Sequence, residues 1–302
     1  MRRLRLDVHA RLPDSLRGPC RNGWTETRRH GTPAECFLEG PAIAADGSLY
    51  CVDISNGHVL RLGQDGRWSV VVAYDGWPTG LKLGPDGLLY VTDNRHGLLR
   101  IAPDTGARET LAGSFQGAPL LGVNDLAIAA DGSVTFTDQG NSDLRDPCGR
   151  VLRWSRDGDL QCVVDRLPSP NGLAFSPDRK MLLIAVTQAN AIWRLMLRPD
   201  GGAGKLGQAI QLSGSAGGGP DGIAFDTAGR LFVCHALAGC LRVFDRMGEP
   251  IARIDTASGI IPTNLAFDPR QPHMLYVTEA ETGTIQRIDL NAAGLARQEG
   301  AR

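Results

Sequence analysis

Gly219-Pro220-Asp221-Gly222-Ile223-Ala224-Phe225-Asp226, continued by Thr227-Ala228-Gly229 and Arg230-Leu231-Phe232-Val233-Cys234-His235, is the stretch from which the fold is read. A polar residue and a glycine open a short apolar run, a turn follows, and a second apolar run ends in a polar side chain. The same pattern stands at Gly122-Val123-Asn124-Asp125-Leu126, Pro170-Asn171-Gly172-Leu173 and Pro262-Thr263-Asn264-Leu265. Weaker copies begin at Glu39-Gly40 and Thr79-Gly80. Counted from Glu39, Thr79, Asn124, Asn171, Asp221 and Asn264, the copies are 40, 45, 47, 50 and 43 residues apart. That period, with several strands per unit, is the mark of propeller blades.

Each unit reads as four short β-rich runs split by turn dipeptides. The first has Ala42-Ile43-Ala44, Leu49 to Val52, His58 to Leu62 and Trp68 to Val72, with Asp46-Gly47 and Asp65-Gly66 between them. No window keeps a helical i, i+3, i+4, i+7 pattern. The fold class is therefore all-β: a six-bladed β-propeller with four antiparallel strands per blade. The sixth unit lacks a fourth strand, whereas residues 1–38 are surplus at the other end. A ring tolerates no open edge, so a strand within Leu4 to Leu12 is expected to close the last blade. The whole chain, 1–302, then reads as one domain, with a polar C-terminal tail at 291–302.

Composition narrows the function. Lys plus Arg number 32 against 33 for Asp plus Glu, and the formal charge of −1 gives no electrostatic reason for nucleic acid or an anionic membrane as partner. Seven cysteines without C-x-x-C spacing speak against a disulfide framework or zinc site and for a reducing, cytoplasmic setting. No apolar run reaches membrane-spanning length. A monomer or small homo-oligomer acting on a small molecule is the expectation. Gly202-Ala203-Gly204-Lys205-Leu206-Gly207 matches a dinucleotide-binding fingerprint in letters only, since no helix follows; it reads as a loop. There is no G-x-S-x-G elbow.

In a propeller the start of each first strand and the end of each second strand share one face. The openings thus form an inner ring, Glu39, Thr79, Asn124, Asn171, Asp221 and Asn264. An outer ring follows from Asp53, Asp93, Asp138, Thr187, His235 and Glu279. Asn-Gly and Asp-Gly are common hairpin turns, but these openings lie where one blade passes to the next. Thr79 and Asn264 read as caps of the blade junctions. Glu39, Asn124, Asn171 and Asp221 place two carboxylates and two amides on one axis, a set that is poorly satisfied without a cation. Hard oxygen donors favour calcium, ahead of magnesium, manganese and zinc.

Glu39-Gly40-Pro41, Val123-Asn124-Asp125, Ser169-Pro170-Asn171-Gly172 and Gly219-Pro220-Asp221-Gly222 resemble, in order, the motifs of the gluconolactonase and regucalcin (senescence marker protein) family. The resemblance runs from about residue 35 to residue 290, and diisopropyl-fluorophosphatase is a more distant relative. It implies a six-bladed propeller whose Glu39, Asn124, Asn171 and Asp221 hold one catalytic divalent ion, with Asp221 as base or nucleophile. One departure stands out: sugar-lactone hydrolases of the family carry a substrate-contacting arginine where this chain has Gly122. The expected activity is metal-dependent opening of a small aldonolactone-like ring. Asn124, Asp138, Gln139, His235, Glu279 and Trp77 are the expected substrate contacts. Rival readings are an organophosphate or aryl-ester hydrolase of the same fold, and a non-catalytic binding propeller.

Overall fold

Six four-stranded antiparallel blades surround an axis in the computed structural model, which describes residues 1–20, 22–198, 202–214 and 217–295. The first strands of the blades are Leu38–Ile43, Pro78–Leu83, Val123–Ile128, Pro170–Phe175, Pro220–Phe225 and Pro262–Asp268. Each touches the next, and the sixth returns to the first, so the ring is closed.

Alternation along the strands builds the walls between blades. In the second strand of blade one, Leu49 and Cys51 pack toward blade six, while Tyr50 and Val52 pack toward blade two. One apolar cluster fills each of the six seams. This period-2 division, with both faces of a blade buried, is why the strands read as nearly continuous apolar runs. Threonines stitch the seams near the axis. Thr79 donates to the carbonyl of Val123 at 2.9 Å, Thr137 to that of Asn171 at 2.9 Å and Thr263 to that of Leu38 at 2.7 Å.

Blade six is closed by Asp7–Arg11, which pairs antiparallel with Thr284–Asp289. A feature not foreseen precedes it: Arg2–Arg5 lies parallel to Pro250–Asp255 as a fifth strand on blade five. Leu6, between the two, is buried in the seam between these blades. The N-terminal segment then crosses the mouth of the ring and carries the short helix Trp24–Arg28, which the strand-based reading did not contain.

Two other expectations are corrected. Ala203–Gln211 is the outer strand of blade four, with Leu206 opposite Leu195, so the expected loop at 202–207 is mostly β-ladder. The tail expected at 291–302 begins as packed structure: Leu290 and Leu295 are buried against blades five and six. Residues 296–302 lie outside the described residues. All seven cysteines are free.

Candidate active site at the mouth of the ring

The first strands share one irregularity. Each slips register against its second strand just after it starts, between Glu39 and Ala42, Pro78 and Gly80, Val123 and Leu126, Pro170 and Leu173, Pro220 and Ile223, and Pro262 and Asn264. Such bulges re-aim side chains at the rims of β structures. The glycines beside them have a separate cause. A Cβ on Gly40 would lie 2.4 Å from the Leu81 nitrogen, and one on Gly172 2.3 Å from the Asp221 carbonyl oxygen. These glycines are required because neighbouring inner strands nearly touch, which a hairpin turn would not demand.

The ladder also resolves the phase of blade six. Pro78 pairs with Asp93 and Pro262 with Glu279, so Thr263 is the counterpart of Thr79. Both hydroxyls donate to the facing second strand and to the next blade. Asn264, placed in the inner ring from sequence, sits one residue further in and corresponds to Asp125. By the same ladder Pro170 faces Val186, so the outer-ring position of blade four is Val186 and not Thr187.

At the inner ring, Glu39 and Asn171 are buried, and Asn124 and Asp221 are partly exposed. Glu39 accepts a hydrogen bond from the Gly40 amide at 2.6 Å. Asn124 donates to Gln139 Oε1 at 2.9 Å, and Gln139 donates to Ser169 Oγ at 2.7 Å. Asp221 Oδ1 is buried without a hydrogen-bond partner. Burial, then the charges of Asp221 and Asp125, hold the Glu39 carboxyl well above its usual range. Burial and the Asp125 charge do the same to Asp221, with the Asn171 amide pulling the other way.

Asp125 was quoted in its motif but given no role, and it proves to be the floor of the site. Its oxygens accept from the Leu126 amide at 2.8 Å and, across the axis, from Asn264 Nδ2 at 3.2 Å. Lys82 Nζ stands 4.0 Å from it. A lysine between Leu81 and Leu83 in an apolar inner strand was the available signal for that pairing.

The outer-ring acids have a different fate. Glu279 is fully buried and accepts from the amides of Ile261, Glu281 and Thr282 and from the Thr282 hydroxyl. Asp138 accepts from the Gly122 amide at 2.9 Å and pairs with Arg150 at 2.8 Å. Both are expected at the substrate from sequence, and in the structure their oxygens bond backbone amides, a hydroxyl and Arg150. Trp77 is covered rather than presented: it packs with Trp24 and Ile54 beneath the N-terminal segment and donates to the Asn22 carbonyl at 2.9 Å. His235 is fully buried, and neither ring nitrogen has a partner. Burial first, and Arg242 and Arg253 next, push its pKa down to about 4.

The donor set passes a test for a dication. Asp221 raises the proton affinity of Glu39 and Asp125 raises that of both, one oxygen is orphaned in a buried place, and every donor is a hard oxygen, the kind that Ca²⁺-type ions take. Among the described residues no group of three or more His, Cys, Asp or Glu forms a metal cluster; two of the four ligands expected here are amides.

A family model described as the SMP-30/gluconolactonase/LRE-like region matches residues 37–281. A gluconolactonase of Zymomonas mobilis is 30% identical over 209 residues, 62% of this chain and 57% of that protein. The chain thus spans little more than half the length of that relative. A pentonolactonase of Haloferax volcanii is 28% identical over 80% of this chain and 81% of its own. Among solved structures, a gluconolactonase from Xanthomonas campestris superposes with a TM-score of 0.74 at 27% identity, covering 83% of this chain and 85% of that one. A regucalcin from Agrobacterium tumefaciens reaches a TM-score of 0.77 at 21% identity over 95% of both chains, which speaks to the fold.

Proposed function

The chain belongs to the SMP-30/gluconolactonase/LRE-like family, and from that membership we propose that it hydrolyses a small, hydroxyl-bearing lactone at the mouth of its ring. The observation that carries this reading is the orphaned Asp221 Oδ1, beside Glu39, Asn124 and Asn171, in a family whose relatives include a gluconolactonase and a pentonolactonase.

Glu39, Asn124, Asn171 and Asp221 would hold one divalent cation, calcium by the hardness of its donors. When bound, it would polarise the lactone carbonyl as a Lewis acid and offset the two carboxylate charges. Asp221, its proton affinity raised by burial and by Asp125, is the candidate base for a proton of the attacking water. The water oxygen bonds to the carbonyl carbon, the ring C–O bond breaks, and the departing alkoxide receives the proton. Asn124, held by Gln139, fixes the substrate edge toward blade three. Asp125, bonded to Asn264, keeps the inner acids from collapsing inward.

The test is a lactone panel on protein stripped with a chelator and then resupplied with single ions. Activity is expected to vanish on stripping and to return with calcium. Equal rates for stripped and untreated protein would end the metal reading. A diisopropyl-fluorophosphatase of Loligo vulgaris is 25% identical over 85% of this chain, so a phosphofluoridate belongs on the same panel. Faster turnover of that substrate than of any lactone would move the assignment to organophosphates.

A further inference from the structure

One inner strand carries a lysine where the other five carry alanine. Three residues beyond the inner-ring position stand Ala42, Lys82, Ala127, Ala174, Ala224 and, counted from Thr263, Ala266. Each alanine packs into the seam with the following blade. Lys82 reaches the same way, and its Nζ stands 4.0 Å from Asp125 Oδ1 of blade three. Directly after the inner ring, four blades have glycine, whereas blade three has Asp125 and blade six, counted the same way, has Asn264. The one lysine at its level of the channel therefore faces the one acid at the level above.

The two partners differ in their access to water. The Asp125 side chain is 2% exposed and that of Lys82 28%, so the acid is sealed in and the lysine climbs to it from the wetter part of the channel. Among the described residues no second cation pairs with Asp125, and no second carboxylate pairs with Lys82. The remaining bonds to the Asp125 oxygens come from neutral groups, the Leu126 amide and Asn264 Nδ2. Lys82 is thus the one positive charge set against this buried carboxylate, which is costly to leave unpaired.

Asp125 is close enough for its charge to act on both Glu39 and Asp221. With a cation seated, the three acids contribute three negative charges, Lys82 returns one, and two remain, the number a divalent ion cancels. Without Lys82 the ion would feel a third carboxylate. The pull of that carboxylate grows with the charge of the ion, so it would favour a trivalent ion over a divalent one. A purely structural lysine predicts the opposite sign: its loss would loosen Asp125 and weaken the site.

We propose that Lys82 sets the affinity and the charge preference of the inner ring for its cation by cancelling the charge of Asp125. It rests on the cation reading given above and adds a positioning residue to it. Lys82 touches neither the ion nor the substrate; it holds Asp125 as floor and keeps the net charge of the site matched to a dication. Charge rather than shape is the operative property, so Lys82→Arg should preserve the effect.

The experiment is calorimetric titration of Ca²⁺ and of Tb³⁺ into the chelator-stripped full chain. It compares the wild type, Lys82→Met, Lys82→Arg and the double variant Lys82→Met/Asp125→Asn. In Lys82→Met the Kd for Ca²⁺ is expected to fall about tenfold and that for Tb³⁺ about thirtyfold, since the gain scales with ion charge. Lys82→Arg should stay within about threefold of the wild type, and so should the double variant, whose net charge is restored. Unchanged or weakened binding in Lys82→Met, or a double variant that binds as tightly as Lys82→Met, would overturn the proposal. Calcium held by the wild type and unmoved by Lys82→Met would defeat the role of Lys82 and leave the cation reading standing. A wild type that binds neither ion would defeat both. The expected shifts with no lactone turned over would sustain Lys82 and defeat hydrolysis. Should Lys82→Met fail to fold, Lys82→Gln carries the same test of sign.

Discussion

Among the acids at the mouth of the propeller, Glu279 and Asp53 of the outer ring differ from Asp221 of the inner ring in what their oxygens are given, and outer-ring Asp93, whose Oδ2 is also buried without a partner, sides with Asp221. Glu279 and Asp53 in the outer ring are filled by the chain itself: Asp53 takes the Phe37 amide at 2.8 Å, the Ser55 hydroxyl at 3.0 Å and the Asn56 amide at 2.8 Å. In the inner ring Asp221 keeps an oxygen with nothing on it, and Glu39 is met chiefly by its own neighbour's N–H. Burial is comparable for Glu39 and Asp53, so burial does not separate them. Satisfaction does. A buried carboxylate whose lone pairs are all used holds loops in place; one left short has capacity for something that binds.

The largest consequence of that contrast should appear at Asp221. Replacing it with asparagine keeps its shape and removes its basicity, so kcat on a good lactone should fall by about 10³- to 10⁴-fold while the melting temperature is held or raised. The rise would come from relieving repulsion with Asp125 and Glu39. A variant that retained a tenth of the wild-type rate would show that the unfilled oxygen does no chemistry.

Next in size is an edge that the chain fills for itself. Removing residues 1–12 strips both added strands and the buried side chains Leu6 and Leu12, worth roughly 3–5 kcal/mol together. Thermal unfolding should move down by about 10 °C; a superimposable melting curve would refute closure by this segment.

Glu279→Ala probes the filled ring. Three amides and a hydroxyl lose their acceptor, so stability should drop by about 2–3 kcal/mol in urea titration. The folded variant should keep its lactone selectivity, because both oxygens are already taken by amides and a hydroxyl. A tenfold or larger change in lactone selectivity would mean that Glu279 acts on substrate as well as on the loops.

The effect confined to acid pH is the most particular, since His235 stands in the outer ring yet is left empty. The unfolded chain takes up a proton there near pH 6.5, but the folded protein does so only near pH 4. Its contribution is therefore fully present above pH 6.5 and lost as the pH falls through that window. The difference in unfolding free energy between wild type and His235→Asn should change with pH between 6.5 and 4 and stay flat above 7. A constant difference across this range would show that the histidine is not held neutral.

The repeat was legible because each blade must bury both faces, which writes period-2 apolar runs and turn dipeptides into every unit. Glu39, Asn124, Asn171 and Asp221 were legible because they recur in phase. The phase was lost in blade six, where Pro262-Thr263-Asn264 was aligned on its amide. The ladder shows that Thr263 is the counterpart of Thr79. Residue type outvoted register there, and register belongs to pairing between strands rather than to local sequence. The partners of Asp138 and Glu279 were illegible for a related reason: a carboxylate at a strand end looks the same whether it faces a ligand or a row of amides. The contact between Arg28 and Gly122 could not be found at all, because it joins a helix to a position without a side chain, distant in sequence.

The first dozen residues have a bearing on how the molecule comes into being. Arg2–Arg5 and Asp7–Arg11 precede every blade in the chain, yet their partners Pro250–Asp255 and Thr284–Asp289 are made only with the last two blades. Until then the ring has a gap flanked by unpaired strands, the kind of surface that recruits other chains. Synthesis thus yields an open crescent first, and the ring closes when strands made ahead of the first blade pair with strands of the last two.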